Sequence, residues 1–247
     1  MTRGTWLLML PEGFLPGSGG TGFPSRVARM SFDVLAPHYR WMEVVLAGDK
    51  LQRCRVAHLQ ETGAARNILI LGEGNGRFLV ECRRTFPMAG ITCVDASARM
   101  LSLAKRRLQQ CGLAANRVEF IHADALEWEP RLNAYDLLAT HFFLDCFRAD
   151  QLERLIFSLA KSATVEANWL VADFQIPAVG LARIRAEFIH RLMYTFFRIV
   201  TRIPARSLTS PDRCLEANGF RLKTRQVSEL GLLRSDLWAR RPAEMPC

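Results

Sequence analysis

From Ile68 onward the chain alternates short apolar runs with longer segments whose apolar residues recur every three or four positions. The runs are Ile68-Leu69-Ile70-Leu71, Ile91-Thr92-Cys93-Val94, Val118 to Ile121, Tyr135 to Thr140 and Trp169 to Phe174. They are too short for helices and mostly lack a polar face, which predicts five strands buried on both sides. The segments between them have helical periodicity. One runs through Phe86; the next is capped by Ser97 and stopped by Gly112. Asp150 and Glu153 have the spacing of a capping box for a helix reaching Thr164. Ser210-Pro211 predicts a short helix stopped by Gly219. The runs Phe220 to Ser228 and Leu232 to Arg240 then predict an antiparallel pair joined at Glu229-Leu230-Gly231. The expected fold class is α/β: a doubly wound, mainly parallel seven-stranded sheet closed by a C-terminal antiparallel strand.

The ends of the chain read differently. Pro11 to Ser25 carry three Pro and five Gly without apolar periodicity, so residues 1–30 are expected to be a loop or disordered extension. Met30 follows at once, and the first 29 residues are open to reading as an upstream start. Phe32 to Glu61 is helical in pattern, broken at Ala36-Pro37 and stopped by Gly63, giving an N-terminal helical cap over 31–66. The core then spans 67–247, with a helical lid inserted at about 178–206.

At 247 residues the chain has room for one such domain, and no apolar run approaches the roughly 18–20 residues that span a bilayer. The seven Cys form no C-x-x-C and no His pair has metal spacing, so no metal is expected and a reducing, cytoplasmic setting fits. The net charge of +9 is uneven: Leu181 to Arg206 holds six Arg and one Glu among Phe, Ile, Leu and Met. That mixture suits an acidic substrate or the anionic inner face of a membrane, touched peripherally, better than nucleic acid, for which no recognised module is present.

The chemistry concentrates after the first strand, in Gly72-Glu73-Gly74-Asn75-Gly76. Glycine there lets backbone amides approach a ligand where the next helix starts. Asp95 ends the second strand, where a carboxylate can accept both hydroxyls of a ribose. A dinucleotide fingerprint would place Gly at position 77, which is Arg. The spacing Gly72-x-Gly74-x-Gly76 instead resembles the first motif of class I S-adenosylmethionine-dependent methyltransferases. His122-Ala123-Asp124-Ala125 resembles that family's adenine-binding turn, and Thr140-His141-Phe142 falls where the family lines the methyl-donor pocket. Phe32-Asp33-x-x-Ala36-x-x-Tyr39 is similar to the N-terminal helix of the branch acting on quinone precursors, whose Tyr closes over the cofactor. The resemblance implies a methyltransferase fold, S-adenosylmethionine as cofactor, and contacts from Tyr39, Gly72, Gly74, Gly76, Asp95, Ala96, Asp124, Ala125 and Thr140. One departure is Ile70, where the family usually carries an acid; Glu73 is expected to supply the carboxylate toward the cofactor's ammonium.

Methyl transfer from a sulfonium chiefly needs alignment, with a general base optional. The candidates are His141 and Asp145, which share a face if Thr140 to Phe147 is helical; Asp145 would then raise the His141 pKa. His190 and Tyr194 are similarly spaced on the lid. The lid stripe Leu181, Ile184, Phe188, Leu192, Phe196 and Ile199 suits a small lipophilic or anionic acceptor. The absence of Asn/Asp-Pro-Pro-Tyr after the fourth strand disfavours methylation of exocyclic amines on bases. The alternatives are a nicotinamide-dependent oxidoreductase and a non-catalytic module that binds a membrane or partner. The acceptor atom and oligomeric state stay open.

Overall fold

The computed structural model describes residues 49–175 and 209–240. A helix α1 (Asp49–Val56) and a 3-10 turn (Leu59–Thr62) lead into β1 (Asn67–Leu71), α2 (Arg77–Thr85), β2 (Gly90–Asp95), α3 (Ala98–Gln110) and β3 (Val118–His122). Then come β4 (Tyr135–His141), a 3-10 turn (Leu144–Cys146), α4 (Ala149–Ser162), β5 (Ala163–Phe174), α5 (Asp212–Ala217), β6 (Phe220–Ser228), a 3-10 turn (Glu229–Gly231) and β7 (Leu233–Arg240). The strands form one sheet in the order β3-β2-β1-β4-β5-β7-β6. Only β7 runs antiparallel, to both β5 and β6. The expected doubly wound sheet is the observed one.

Alternate residues of each strand fill two cores. Ile68, Ile70, Leu137, Ala139, Leu170 and Leu237 pack with Phe78 and Leu79 of α2 and Ala104 and Leu108 of α3. Leu69, Leu71, Leu138, Trp169, Val171 and Trp238 pack with α4 through Leu152, Leu155, Ile156 and Leu159, and with Leu215 of α5. Both faces being covered is why these strands read as unbroken apolar runs. At the carboxyl end of β5, α1 adds Leu51 and Cys54 beside Ala172, Phe174 and Leu233. Among the described residues no helix is long and apolar enough to cross a membrane.

Helix ends follow local chemistry. Ser97 caps α3 by accepting from the Met100 amide at 3.2 Å. Gly112, at φ 67°, closes it: its N–H donates to Gln109 O and that of Leu113 to Leu108 O, a Schellman arrangement. The start of α4 differs from expectation. It begins at Ala149, so Asp150 sits inside the first turn, and Gln151 Oε1 rather than Glu153 receives a flanking amide, that of Arg148, at 3.2 Å. An acid in that turn still favours the helix through the dipole. The first helix stops at Val56 and Glu61 lies in the separate 3-10 turn before Gly63. The fifth strand starts at Ala163, six residues early, because a register shift against β4 carries 164–167 past the pairing before Asn168 meets Leu137. Residues 1–48 and 176–208 lie outside the described residues, so the extension, most of the cap and the lid do too.

Trp169 and Trp238 face each other across β5 and β7, both fully buried. The Trp169 indole donates to Thr140 Oγ1 at 2.9 Å, whereas Trp238 Nε1 has no partner among the described residues. Trp169→Phe therefore strands a hydroxyl that Trp238→Phe does not. Urea unfolding should show Trp169→Phe to be the costlier by about 1 kcal/mol; equal costs would mean that the indole bond contributes nothing.

Candidate cofactor site

The sheet reverses its strand order between β1 and β4, and the register brings the ends there level. Leu71 lies opposite both Val94 and Thr140, and Asp95 opposite His122. Ligands of open α/β sheets bind in the crevice such a switch point creates.

The loop leaving β1 is built from left-handed backbone, with φ 64° at Gly72, 68° at Gly74 and 86° at Gly76. It is also pressed from two sides. A Cβ on Gly72 would lie 2.3 Å from Phe143 Cδ2, and one on Gly76 would lie 2.6 Å from the Ala104 Cα of α3. Arg107 of α3 donates to Asn75 O at 2.8 Å. Asp95 ties the loop to the second strand: Oδ2 accepts from the Gly74 amide at 3.2 Å and Oδ1 from the Ser97 amide at 2.9 Å.

Glu73 turns inward. Its Oε1 accepts from the amides of Phe78 at 2.9 Å and Leu79 at 3.0 Å, capping α2 from inside the loop. Ile70 is free to fill the core because the capping carboxylate comes from the loop. Burial pushes the Glu73 carboxyl up from 4.5 to about 7, against the pull of the Leu79 amide, the Arg55 charge and the Phe78 amide. Only Oε2 is left for a ligand.

The other expected residues divide. Ala96 stands beside Asp95, its carbonyl 3.0 Å from His122 Nε2. Asp124 is exposed and makes a turn, Oδ1 accepting from the Leu126 amide at 2.9 Å, while Ala125 packs against the core. Thr140 is fully buried and its hydroxyl accepts from the Trp169 indole, so a cofactor contact from this position would come from its backbone. The His141–Asp145 pairing also needs correction. His141 ends β4, Phe142 takes φ 52°, and Asp145 sits in a 3-10 turn, so the two do not share a helix face. His141 instead packs edge-on to Phe78 with ring centroids 4.3 Å apart. Burial and the Arg55 charge push it down to about 3, the reverse of the expected direction, which makes it a feeble base at neutral pH. Tyr39, His190 and Tyr194 lie outside the described residues.

Two contributors went unnoticed in the sequence. Arg55 of α1 is buried with its guanidinium 5.2 Å from the Phe142 ring centroid. Phe143 seals the glycine loop, a role its place in an aromatic run hints at without specifying. Phe142 meets Phe174 at 4.9 Å and Phe143 meets Phe147 at 5.1 Å, two separate aromatic pairs near the ends of β4 and β5.

Residues 68–165 match the family model described as a methyltransferase domain. The fold is the Rossmann-like methyltransferase fold. Trans-aconitate 2-methyltransferase of Klebsiella pneumoniae (strain 342) is 37% identical over 76 residues, covering 31% of this chain and 26% of that protein. Polyamine aminopropyltransferase of Prochlorococcus marinus (strain MIT 9301) is 29% identical over 97 residues, covering 37% of this chain and 33% of that one. The chain thus spans about a third or less of the length of these curated relatives. Among solved structures, mitomycin 7-O-methyltransferase is similar with TM-score 0.62 at 20% identity, covering 85% of this chain and 61% of that one. An O-methyltransferase family protein from Burkholderia thailandensis gives TM-score 0.63 at 17%, covering 85% and 60%. At such identities the likeness shows the fold of the methyltransferase domain.

Two predictions test the loop. Gly76→Ala meets backbone whereas Gly72→Ala meets a ring that can swing. Gly76→Ala should therefore be the more destabilising, by about 1–2 kcal/mol in urea unfolding, although both pay for left-handed backbone. The folded state holds the Glu73 proton more tightly than the unfolded chain does. Its contribution is full below pH 4.5 and is lost as pH rises to about 7. The stability of wild type relative to Glu73→Gln should fall by on the order of 2–3 kcal/mol across that window; a flat difference would show that Glu73 is not held in this buried state.

Proposed function

We propose that this domain transfers a methyl group from S-adenosylmethionine to a small, largely apolar acceptor. The observation that carries the reading is the left-handed glycine loop tied through the Gly74 amide to Asp95 at the switch point of the sheet. The residues there fit the cofactor. Asp95 stands at the end of the second strand where a carboxylate would meet the ribose hydroxyls, Glu73 Oε2 can meet an ammonium group, and the Asp124 turn lies one strand further on, at the adenine end. Ala96 and Ala125 would contribute backbone and a small surface, and Tyr39 would close over the site from the N-terminal segment. Bound here, S-adenosylmethionine supplies a methyl group on a positively charged sulfur.

The protein's work is then alignment, which can lower a barrier by several kcal/mol. Phe143 fixes the glycine loop, and the Phe142–Phe174 pair would offer the acceptor an apolar face. His141, neutral and packed on Phe78, lines this region without acting as a base, so of the two expected catalytic groups Asp145 alone is retained. The likenesses reported above favour methyl transfer over the nicotinamide-dependent alternative, and Arg77 in place of a third fingerprint glycine agrees. Residues 181–206, the proposed lid and surface for an anionic membrane, lie outside the described residues and carry none of this argument.

Calorimetric titration with S-adenosylmethionine and S-adenosylhomocysteine tests the reading. Wild type should bind both, and Asp95→Ala should weaken both by at least about tenfold, or about 1.4 kcal/mol. Failure of the folded wild type to bind either would overturn the methyltransferase reading.

A further inference from the structure

The chain leaves β4 through two phenylalanines that meet different neighbours. Thr140 on β4 stands opposite Leu71 of β1, so the residues just beyond it emerge beside the glycine loop at the switch point. Phe142, at φ 52°, is tied to β5: its amide donates to Ala172 O at 2.7 Å and its ring meets Phe174 at 4.9 Å. Phe143 is set against β1. Its Cδ2, Cε2 and Cγ atoms lie 2.3, 3.0 and 3.0 Å from where a Cβ on Gly72 would stand, so the ring rests on the bare backbone of the loop's first glycine. That glycine is itself held, its amide donating to Val94 O at 2.9 Å.

The two rings also differ in what already engages them. The guanidinium of Arg55 lies 5.2 Å from the Phe142 ring centroid, so that ring has its cation. Phe143 is only half-buried and packs on the apolar core. It meets Phe147 nearly at right angles, with 74° between the planes and 5.1 Å between the centroids. Among the described residues no cation lies over it. The carboxylates bordering the loop are engaged by backbone: Glu73 Oε1 takes the amides of Phe78 and Leu79, and Asp95 those of Gly74 and Ser97. Phe143 is thus the aromatic group that reaches the cofactor loop while its ring is not claimed by a charge of the described chain.

We propose that Phe143 reads the charge on the cofactor's sulfur, its ring making a cation–π contact with the sulfonium of S-adenosylmethionine that the neutral thioether of S-adenosylhomocysteine does not receive. This deepens the methyltransferase reading and rests on it. The negative face of an aromatic ring attracts a cation without being a nucleophile. A carboxylate in the same place would compete with the acceptor for the methyl group. The attraction is also modest, which matters because any contact with the full sulfonium charge favours the bound cofactor over the transition state. Transfer of the methyl group to the acceptor leaves the C–S electron pair on sulfur and removes its charge, so the contact lapses with the reaction. The spent cofactor is then held less tightly than the donor at this one point, and exchange favours a fresh donor.

The test titrates three ligands into the full chain by calorimetry: S-adenosylmethionine, S-adenosylhomocysteine, and sinefungin, in which an ammonium-bearing carbon replaces the methylated sulfur. In Phe143→Leu the two cationic ligands should bind about fivefold more weakly, and S-adenosylhomocysteine within about twofold of wild type. Phe143→Tyr keeps the ring and should restore all three affinities. Phe142→Leu, whose ring already faces Arg55, should leave the ratio of cationic to neutral affinity unchanged; a change there and not at Phe143 would overturn the assignment. Three ligands weakened alike by Phe143→Leu would mean that the ring only shapes the loop, and a loss confined to S-adenosylmethionine would mean that the methyl group is recognised and not the charge. Either result refutes the inference while leaving cofactor binding intact, whereas failure of wild type to bind S-adenosylhomocysteine would overturn the underlying function instead. A second measurement needs no variant. With S-adenosylmethionine carbon-13 labelled at the methyl group and bound to wild type, nuclear Overhauser effects should connect the methyl protons to the Phe143 ring protons, and their absence would rule the contact out.

Discussion

The turn at the end of β1 has to be tight, left-handed and held, and the rest of the carboxyl edge is arranged around that need. An L residue with a side chain pays about 1–2 kcal/mol to adopt left-handed backbone, so three such positions within five residues leave glycine as the workable choice. Glycine brings freedom along with permission, and the surrounding groups remove it. Phe143 from the β4 end presses on Gly72, the backbone of α3 on Gly76, and Asp95 from the β2 end holds the Gly74 amide. Each clamp comes from a different neighbour in the sheet, so the loop is shaped only once β1, β2 and β4 are aligned. The cofactor-binding geometry is thus a product of the assembled sheet rather than of the motif.

Glu73 shows how a motif can be kept in function while altered in sequence. The helix after the loop has unsatisfied amides at its N-terminus, and a buried carboxylate there is favourable in hydrogen bonding and costly in desolvation. The chain accepts that cost at Glu73 and gives position 70 to the core. A carboxyl raised toward neutrality is the physical trace of the compromise.

What was legible in the sequence is what local pattern controls. Parallel strands buried on both faces must be apolar throughout, so β1, β2 and β4 announce themselves, and the Gly112 stop follows from one residue's backbone freedom. The first part of β5 was not legible, because its exposed Val165 and Glu166 lie beside a register shift that only pairing with β4 creates. His141 and Asp145 were mispaired for a related reason: i, i+4 spacing implies a shared face only in a helix, and the left-handed Phe142 forbids one. The bond that holds the Thr140 hydroxyl was not legible either, because its position on β4 is local information, whereas the indole that donates to it comes from β5. The glycine loop, Asp95 and the Asp124 turn lie close to strand ends that the sequence marks, and the structure brings their backbones together there.

The two halves of the carboxyl edge use opposite electrostatic means. Around β1, β2 and β3 every carboxylate is answered by backbone amides: Asp95 by Gly74 and Ser97, Glu73 by Phe78 and Leu79, Asp124 by Leu126. Fixed dipoles of that kind hold a charge in place without neutralising it, which suits recognition of a polar ligand. Around β4 and β5 phenyl rings line the edge; Arg225 and Arg234 are tied to Asp212 and Asp236, while Arg55 lies over the Phe142 ring. The polar half offers backbone dipoles and the apolar half offers rings. The proposed methyl transfer, in which a sulfonium charge disappears, would use both kinds of surface, and the switch point between β1 and β4 is where they meet.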